Sequence, residues 1–199
     1  MNAGNFYGIG VGPGDPELMT VKAASVLAGC KHIFVPRPET NQESMALEIA
    51  RQFIKPDAQI HTFTFPMTAD PLLLAQQWAD AASQVLAVLM RGADACFLTL
   101  GDALLYSTYL YLLRELKALS PDLNIVTIPG VTSFAAASAL TNFSLGEGKE
   151  PMTIVPAADD LDSVRRALAV GGTVVLMKIG RRLQGILAVL EKENLIEDA

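Results

Sequence analysis

A chain of 199 residues with 51% hydrophobic and 18% charged residues can bury the core of one large or two small globular domains, which excludes a disordered chain. Its formal net charge of −6 argues against a nucleic-acid partner held through phosphate contacts. No apolar run approaches the ~18 residues that cross a bilayer, and Met1-Asn-Ala-Gly-Asn5 has no basic segment, so neither a membrane span nor a signal peptide is expected and the cytoplasm is the expected location.

Along the chain, short apolar runs alternate with longer amphipathic ones. A strand over Phe6–Gly10 leads into Gly8-Ile-Gly10-Val-Gly12-Pro13-Gly14-Asp15 and then into a helix-like stretch from about Pro16 to Cys30, centred on Thr20–Ala28. Further strands are expected at His32–Val35, Gln59–Phe63 and Ala95–Leu100, with helices at Glu43–Phe53, Pro71–Met90 and Leu105–Ala118. In the longest helix Leu73, Leu74, Trp78, Ala81, Ala82 and Val85 recur at three- and four-residue steps, which makes one apolar face for core packing. Strand–helix alternation with short connections predicts parallel βαβ units.

The polar, turn-forming Ser120-Pro121-Asp122 marks a boundary, giving α/β domains at 1–120 and 121–199. After it come a strand at Ile125–Ile128, an Ala/Ser-rich helix at Ser133–Leu140 and a loop with Gly146-Glu-Gly148-Lys149. Strands at Met152–Val155 and Thr173–Met177 flank a helix at Leu161–Val170, and a last helix runs from Leu183 to Glu193. The end, Leu195-Ile-Glu-Asp-Ala199, follows a helix that would ordinarily lead into another strand, so the second domain is expected to be incomplete there.

Three strand ends carry the chemistry. In the first, four glycines at alternate positions turn the chain tightly and leave a bare backbone for a ligand, in the crevice where open α/β sheets bind theirs. The second, Leu98-Thr99-Leu100-Gly101-Asp102-Ala103, places a carboxylate that can accept from a ligand's ammonium or ribose hydroxyls, or can equally cap the next helix. At the third, Ile128-Pro129-Gly130-Val131-Thr132-Ser133, either hydroxyl can cap a helix whose first amides attract an anion. A dinucleotide fingerprint fails, because Pro13 or Asp15 stands where its last glycine belongs, and no acidic residue ends the second strand. A Walker-type Gly-Lys-Ser/Thr is absent. Cys30 and Cys96 lack metal-ligand spacing and read as buried free thiols, His32 and His61 read as structural, and no metal site is legible.

Together, Gly10-Val-Gly12-Pro13-Gly14-Asp15-Pro-Glu-Leu-Met-Thr20, Gly101-Asp102 and Pro129-Gly130-Val131-Thr132-Ser133 resemble, in order and spacing, the motifs of the tetrapyrrole (corrin/porphyrin) methylases across essentially the whole chain. The stretches Leu100–Leu112 and Pro129–Ala137 are most similar to the branch that methylates C20 of precorrin-2 or cobalt-precorrin-2. The resemblance implies two α/β domains with a ligand cleft between them, S-adenosylmethionine as methyl donor, a homodimer, and a place in cobalamin biosynthesis. Position by position it implies donor contacts at Pro13, at Leu100, Gly101, Asp102 and Ala103, at Thr132 and Ser133, and at Met177. The family has Gly-Asp-Pro where this chain has Gly101-Asp102-Ala103, which leaves the turn less rigid.

In such a reaction, attack on the methyl group neutralises the donor's sulfonium, and the acceptor carbon is already nucleophilic through its ring nitrogens. Alignment within ~3–3.5 Å is then the main requirement, which agrees with the lack of a Ser/His/Asp or paired-carboxylate constellation. Proton loss afterwards goes to water or a carboxylate, with Asp15 and Asp102 as candidates. Arg37, Lys178, Arg181 and Arg182 follow strand ends and suit the acceptor's carboxylates, though each reads equally well as solvated surface charge. Of Tyr106, Tyr109 and Tyr111, Tyr106 is best placed to face a ligand. Competing readings are a methylase of another ring carbon, of a protein residue or of ribosomal RNA, a nucleotide-binding oxidoreductase, and a sensor that binds donor or tetrapyrrole without turnover.

Overall fold

The computed structural model describes residues 3–37, 43–64, 70–156 and 160–199, and the chain divides into compact units at Met1–Ala136 and Ala137–Ala199. Five strands form the first unit's sheet: β1 (Phe6–Gly10), β2 (His32–Arg37), β3 (Gln59–Thr64), β4 (Ala95–Thr99) and β5 (Ile125–Ile128). Their order is β3-β2-β4-β1-β5 and every pairing is parallel. Between them run α1 (Val21–Gly29), α2 (Met45–Ala50), α3 (Pro71–Leu89) and α4 (Tyr109–Leu119).

Both faces of this sheet are covered, so its inner strands read as continuous apolar runs. On one face Ile9, Ile33, Val35 and Leu98 pack with Ala23 and Leu27 of α1 and with Leu47 and Ile49 of α2. On the other, Phe6, Phe34, Phe63 and Phe97 pack with Trp78 and Val85 of α3 and Leu112 and Leu116 of α4. Because α1 and α4 lie on opposite faces, the connections leaving β1 and β4 part in opposite directions. The carboxyl ends of these adjacent strands form a topological switch point.

Differences from the expected elements have local causes. The stretch after Asp15 breaks into a 3-10 turn at Pro16–Leu18, with the Asp15 carboxylate accepting from the Glu17 amide at 2.9 Å, and a separate α1 whose N-cap is Thr20. α4 begins at Tyr109, not Leu105, because Ser107 Oγ accepts from the Tyr109 amide at 3.0 Å and the chain before it is not helical. β2 continues through Pro36. Its pairing with β4 stops at Phe34, so beyond that point only the β3 side is bonded and the missing amide of proline is tolerated. β5 is bonded to β1, which carries it into the first unit, and the division between units falls later in the chain than Ser120-Pro121-Asp122.

α5 (Ser133–Thr141) follows β5. In the second unit β6 (Met152–Pro156) and β7 (Thr173–Met177) pair in parallel through α6 (Leu161–Leu168), and α7 (Leu183–Lys192) comes last. Its core is Val164, Val189, Leu161, Leu168 and Leu176.

The two cysteines are free and buried. A thiol hydrogen bond from Cys96 draws the Cys30 pKa down, while burial pushes that of Cys96 well up. The two histidines, distant in sequence, meet: His32 Nδ1 lies 3.2 Å from His61 Nε2, and Phe34 stacks on His61 at 4.5 Å. Desolvation, and then the charge His32 would carry, lower the His61 pKa below its ordinary value.

A methyl group added at Gly10 or Gly130 would run into backbone: at Gly10 it would stand 2.6 Å from the Gly101 carbonyl and 2.7 Å from the Gly130 amide, whereas at Gly29 it would meet nothing within 4 Å. Gly10→Ala and Gly130→Ala are therefore expected to lower unfolding stability by about 1–3 kcal/mol or more, and Gly29→Ala to leave it unchanged or slightly raised, by urea titration. For His61, a depressed folded-state pKa means the unfolded chain binds the proton more readily. Stability is thus present above pH ~6.5 and falls as pH drops through that value. Urea midpoints from pH 8 to 5 should show the fall, and His61→Phe should flatten it.

Candidate functional site

Parallel strands bring their carboxyl ends to one edge, and in the first unit three of those ends touch through backbone. Gly12 and Gly101 exchange a pair of hydrogen bonds, the Gly101 amide donating to the Gly12 carbonyl at 2.8 Å and the Gly12 amide to the Gly101 carbonyl at 3.2 Å. The Val11 amide donates to the Thr99 carbonyl at 2.9 Å. Gly130 lies against both other junctions: a Cβ there would collide with the Gly101 carbonyl and stand 2.8 Å from Gly10. Gly12 and Gly101, with φ of 83° and 69°, occupy the left-handed region that makes this crossing possible. Pro13, Asp102 and Thr132 thus follow directly from one assembly.

Asp102 has two structural partners. Its Oδ1 accepts from the Leu104 amide at 2.8 Å and its Oδ2 from the Gly130 amide at 3.0 Å. One carboxylate therefore shapes the second loop and fastens the third to it. It caps no helix, because α4 begins only at Tyr109; beside the ligand-binding reading stands a clamp between loops. Thr132 supplies the cap of α5, with Oγ1 accepting from the Ala135 amide at 3.4 Å.

Beneath the second loop runs a line of hydroxyls. Thr99 Oγ1 and Ser107 Oγ are 2.8 Å apart and buried, and Tyr109 Oη lies 2.8 Å from Thr127 Oγ1. Tyr109 is fully buried, its ring filling the space that a Gly8 side chain would take. Burial pushes its phenol pKa up, against a smaller downward pull from the Thr127 hydrogen bond. None of Thr99, Ser107, Tyr109 and Thr127 stood out in the sequence as a support for the site. The available signal was Gly8 in mid-strand, a position where a glycine often marks close approach by another group.

The expected contacts differ in exposure. Leu100 is 46% exposed, Pro13, Gly101 and Thr132 are half-buried, and Ser133 is exposed. Ala103 is fully buried within the α3–α4 core. Backbone at Gly14 and Gly101 faces open space, since an added Cβ would meet nothing within 4 Å. Asp15 is exposed and caps the Pro16–Leu18 turn. Arg37 ends β2, half-buried, and Tyr106 is 38% exposed. Tyr111 stacks on Trp78 with ring centroids 5.5 Å apart. In the second unit Met177 ends β7, Lys178 follows it with φ 56°, and Arg181 lies exposed in a 3-10 turn that precedes α7; Arg182, half-buried, closes that turn. Among the described residues no group of three or more His, Cys, Asp or Glu side chains is arranged to hold a metal ion.

A site built from bare backbone, two apolar side chains (Leu100 and Leu104, the latter 52% exposed) and helix-capping hydroxyls can bind a neutral or cationic organic ligand by shape. It offers little acid–base machinery. The Tetrapyrrole (Corrin/Porphyrin) Methylases match the chain over residues 5–199. A cobalt-precorrin-2 C(20)-methyltransferase of Salmonella typhimurium is 32% identical over 196 residues, which cover 98% of this chain and 81% of that protein. A precorrin-2 C(20)-methyltransferase of a Sinorhizobium species is 27% identical over 207 residues, covering 100% and 83%. Among solved structures, a cobalt precorrin-4 methyltransferase superposes with a TM-score of 0.71 at 20% identity, over 97% of this chain and 76% of that one, which is a likeness of fold.

The clamp is open to test by hydrogen exchange. Asp102→Ala removes both acceptors and is expected to speed exchange of the Gly130 amide and to cost about 1–3 kcal/mol of stability, with Asp102→Asn, which keeps one acceptor oxygen, in between. Unchanged protection of Gly130 in the alanine variant would remove the clamp.

Proposed function

The chain belongs to the tetrapyrrole methylase family, and from that premise we propose that it transfers a methyl group from S-adenosylmethionine to C20 of precorrin-2 or of cobalt-precorrin-2, a step of cobalamin biosynthesis. The observation that carries the reading is the meeting of three glycine junctions at one sheet edge, with open backbone at Gly14 and Gly101 and exposed apolar Leu100 beside them. A sulfonium donor suits such a lining, because its reaction discharges a cation and calls for no charged partner to remain behind. The donor, when bound, supplies an electrophilic methyl group.

The chain's own part is to hold and to align. Pro13, Leu100 and Gly101, then Thr132 and Ser133, are the residues we assign to the donor, with the fully buried Ala103 supporting the loop from the core. Asp102 acts in this reading as the clamp that fixes where those loops stand, since both its oxygens already accept amides. Asp15 uses one oxygen on the Glu17 amide and has the other for a proton released after transfer, with water as the alternative acceptor. Arg37, at the end of β2, is assigned to the acceptor's carboxylates, which a guanidinium group pairs in bidentate fashion. The reading includes a cytoplasmic homodimer. Exposed apolar side chains such as Leu72 and Leu73 of α3 favour a covering second copy.

Incubation with isotopically labelled donor and precorrin-2, with and without cobalt, should add one methyl by mass spectrometry, and nuclear magnetic resonance should place it at C20. Calorimetry should give saturable binding of S-adenosylhomocysteine and none of NAD, and sedimentation velocity should return a dimer. Binding without transfer would favour a sensor, and methyl at another carbon a different member of the family.

A further inference from the structure

The two cysteines take no part in the reaction proposed above, yet the fold brings them together from distant parts of the chain. Cys30 is the C-cap of α1, and Cys96 lies in β4, in register with Ile33 of β2. Both side chains belong to one core cluster, on the sheet face that α1 and α2 cover. The Cys30 sulfur stands 3.4 Å from the His32 carbonyl oxygen and 3.6 Å from that of Asp94, just ahead of Cys96. The Cys96 thiol donates a hydrogen bond to it. Both thiols are free.

The two sulfurs are not equivalent. Cys96 is fully buried, and burial keeps its proton on. Cys30 is only 3% exposed, but it lies just under the surface, between the exposed residues Gly29 and Lys31. Nothing stands within 4 Å of where a Gly29 side chain would be, so the end of α1 is open to a small solute. The hydrogen bond from Cys96 favours the Cys30 thiolate against the cost of its burial. A small oxidant arriving there meets Cys30 first, with Cys96 behind it as the second thiol.

We propose that Cys30 and Cys96 form a modification site, a dithiol that hydrogen peroxide converts into an intramolecular disulfide. The Cys30 thiolate attacks one peroxide oxygen, the O–O bond breaks, and hydroxide leaves while Cys30 becomes a sulfenic acid. The Cys96 sulfur then attacks the Cys30 sulfur, the S–O bond breaks, and the Cys96 proton leaves with that hydroxyl as water. The proton first lost from Cys30 makes water of the earlier hydroxide, so the thiols are oxidised by two electrons and one peroxide is reduced to two waters. The new bond joins the end of α1 to the sheet near the amino ends of β2 and β4, the edge opposite the glycine junctions. It therefore fastens the fold without touching the candidate site.

The test treats the folded protein with hydrogen peroxide, alkylates what remains as thiol in denaturant, and maps the peptides by mass spectrometry. Wild type should lose two hydrogens and yield one peptide pair linked through Cys30 and Cys96, and dithiothreitol should reverse the change. The oxidised chain should melt about 5–10 °C higher, because the cross-link restricts the unfolded chain. Cys96→Ser should instead leave Cys30 to be trapped as sulfenic acid by dimedone, and Cys30→Ser should leave Cys96 reduced. Should the buried Cys96→Ser variant fail to fold, the wild-type peptide map decides alone. The inference is overturned if both thiols survive peroxide that has already converted the exposed Met90 to its sulfoxide, or if Cys30 passes to sulfinic acid with no link to Cys96.

Discussion

Backbone contact without side chains between is the constraint on which the candidate site depends. β4, β1 and β5 are neighbours in the sheet, so their carboxyl ends leave it side by side. Ordinary residues would push the three following loops apart by the width of their side chains. Gly10 and Gly130 remove that width, and Gly12 and Gly101 bond to each other as a short antiparallel bridge across strands that run parallel. A left-handed φ at both glycines lets the chain reverse for that bridge. The glycines therefore serve contact between loops first, and only Gly14 and Gly101 leave open backbone for a ligand.

Glycines lower the cost of approach but hold nothing, and the holding falls to polar side chains that are half-buried or buried. The Asp102 carboxylate, with an amide on each oxygen, sets the distance between the second and third loops. Hydroxyls at Thr99, Ser107, Tyr109 and Thr127 tie the far end of the second loop to β4 and β5. Polar groups in such places stabilise only when every partner is present, because an orphaned donor at low dielectric costs more than the bond contributes.

Much of this was legible in the residues. Phe6–Gly10, Ile125–Ile128 and Thr173–Met177 have the bounds expected from their apolar runs, the second stopped by Pro129 and the third bounded by Gly172 and Lys178. The spacing of the glycine junctions also pointed to one ligand-bearing sheet edge. What escaped is non-local. That β5 belongs beside β1 follows from sheet order, not from the polar turn at Ser120-Pro121-Asp122. The meeting of His32 and His61 depends on the register of β2 against β3, which pairs Phe34 with His61. The start of α4 was displaced by a serine whose hydroxyl is used by tertiary partners, and helical periodicity does not record such use. The clamping role of Asp102 was not legible in sequence, since its partner Gly130 lies in the third loop, and the helix it was expected to cap begins only at Tyr109.

A division of labour follows from where the charges are. Carboxylates at the sheet edge already serve backbone amides, and the basic candidates stand at other strand ends, Arg37 closing β2 and Lys178 directly following β7. An arrangement of this kind is poorly suited to pulling protons and well suited to holding geometry. Carbon methylation by a sulfonium makes that demand: the nucleophile is already electron-rich, the leaving sulfide is neutral, and the barrier is lowered by fixing approach. Selection among similar macrocycles must then come from shape and from a few directed contacts, since two ring carbons of one tetrapyrrole differ little in charge.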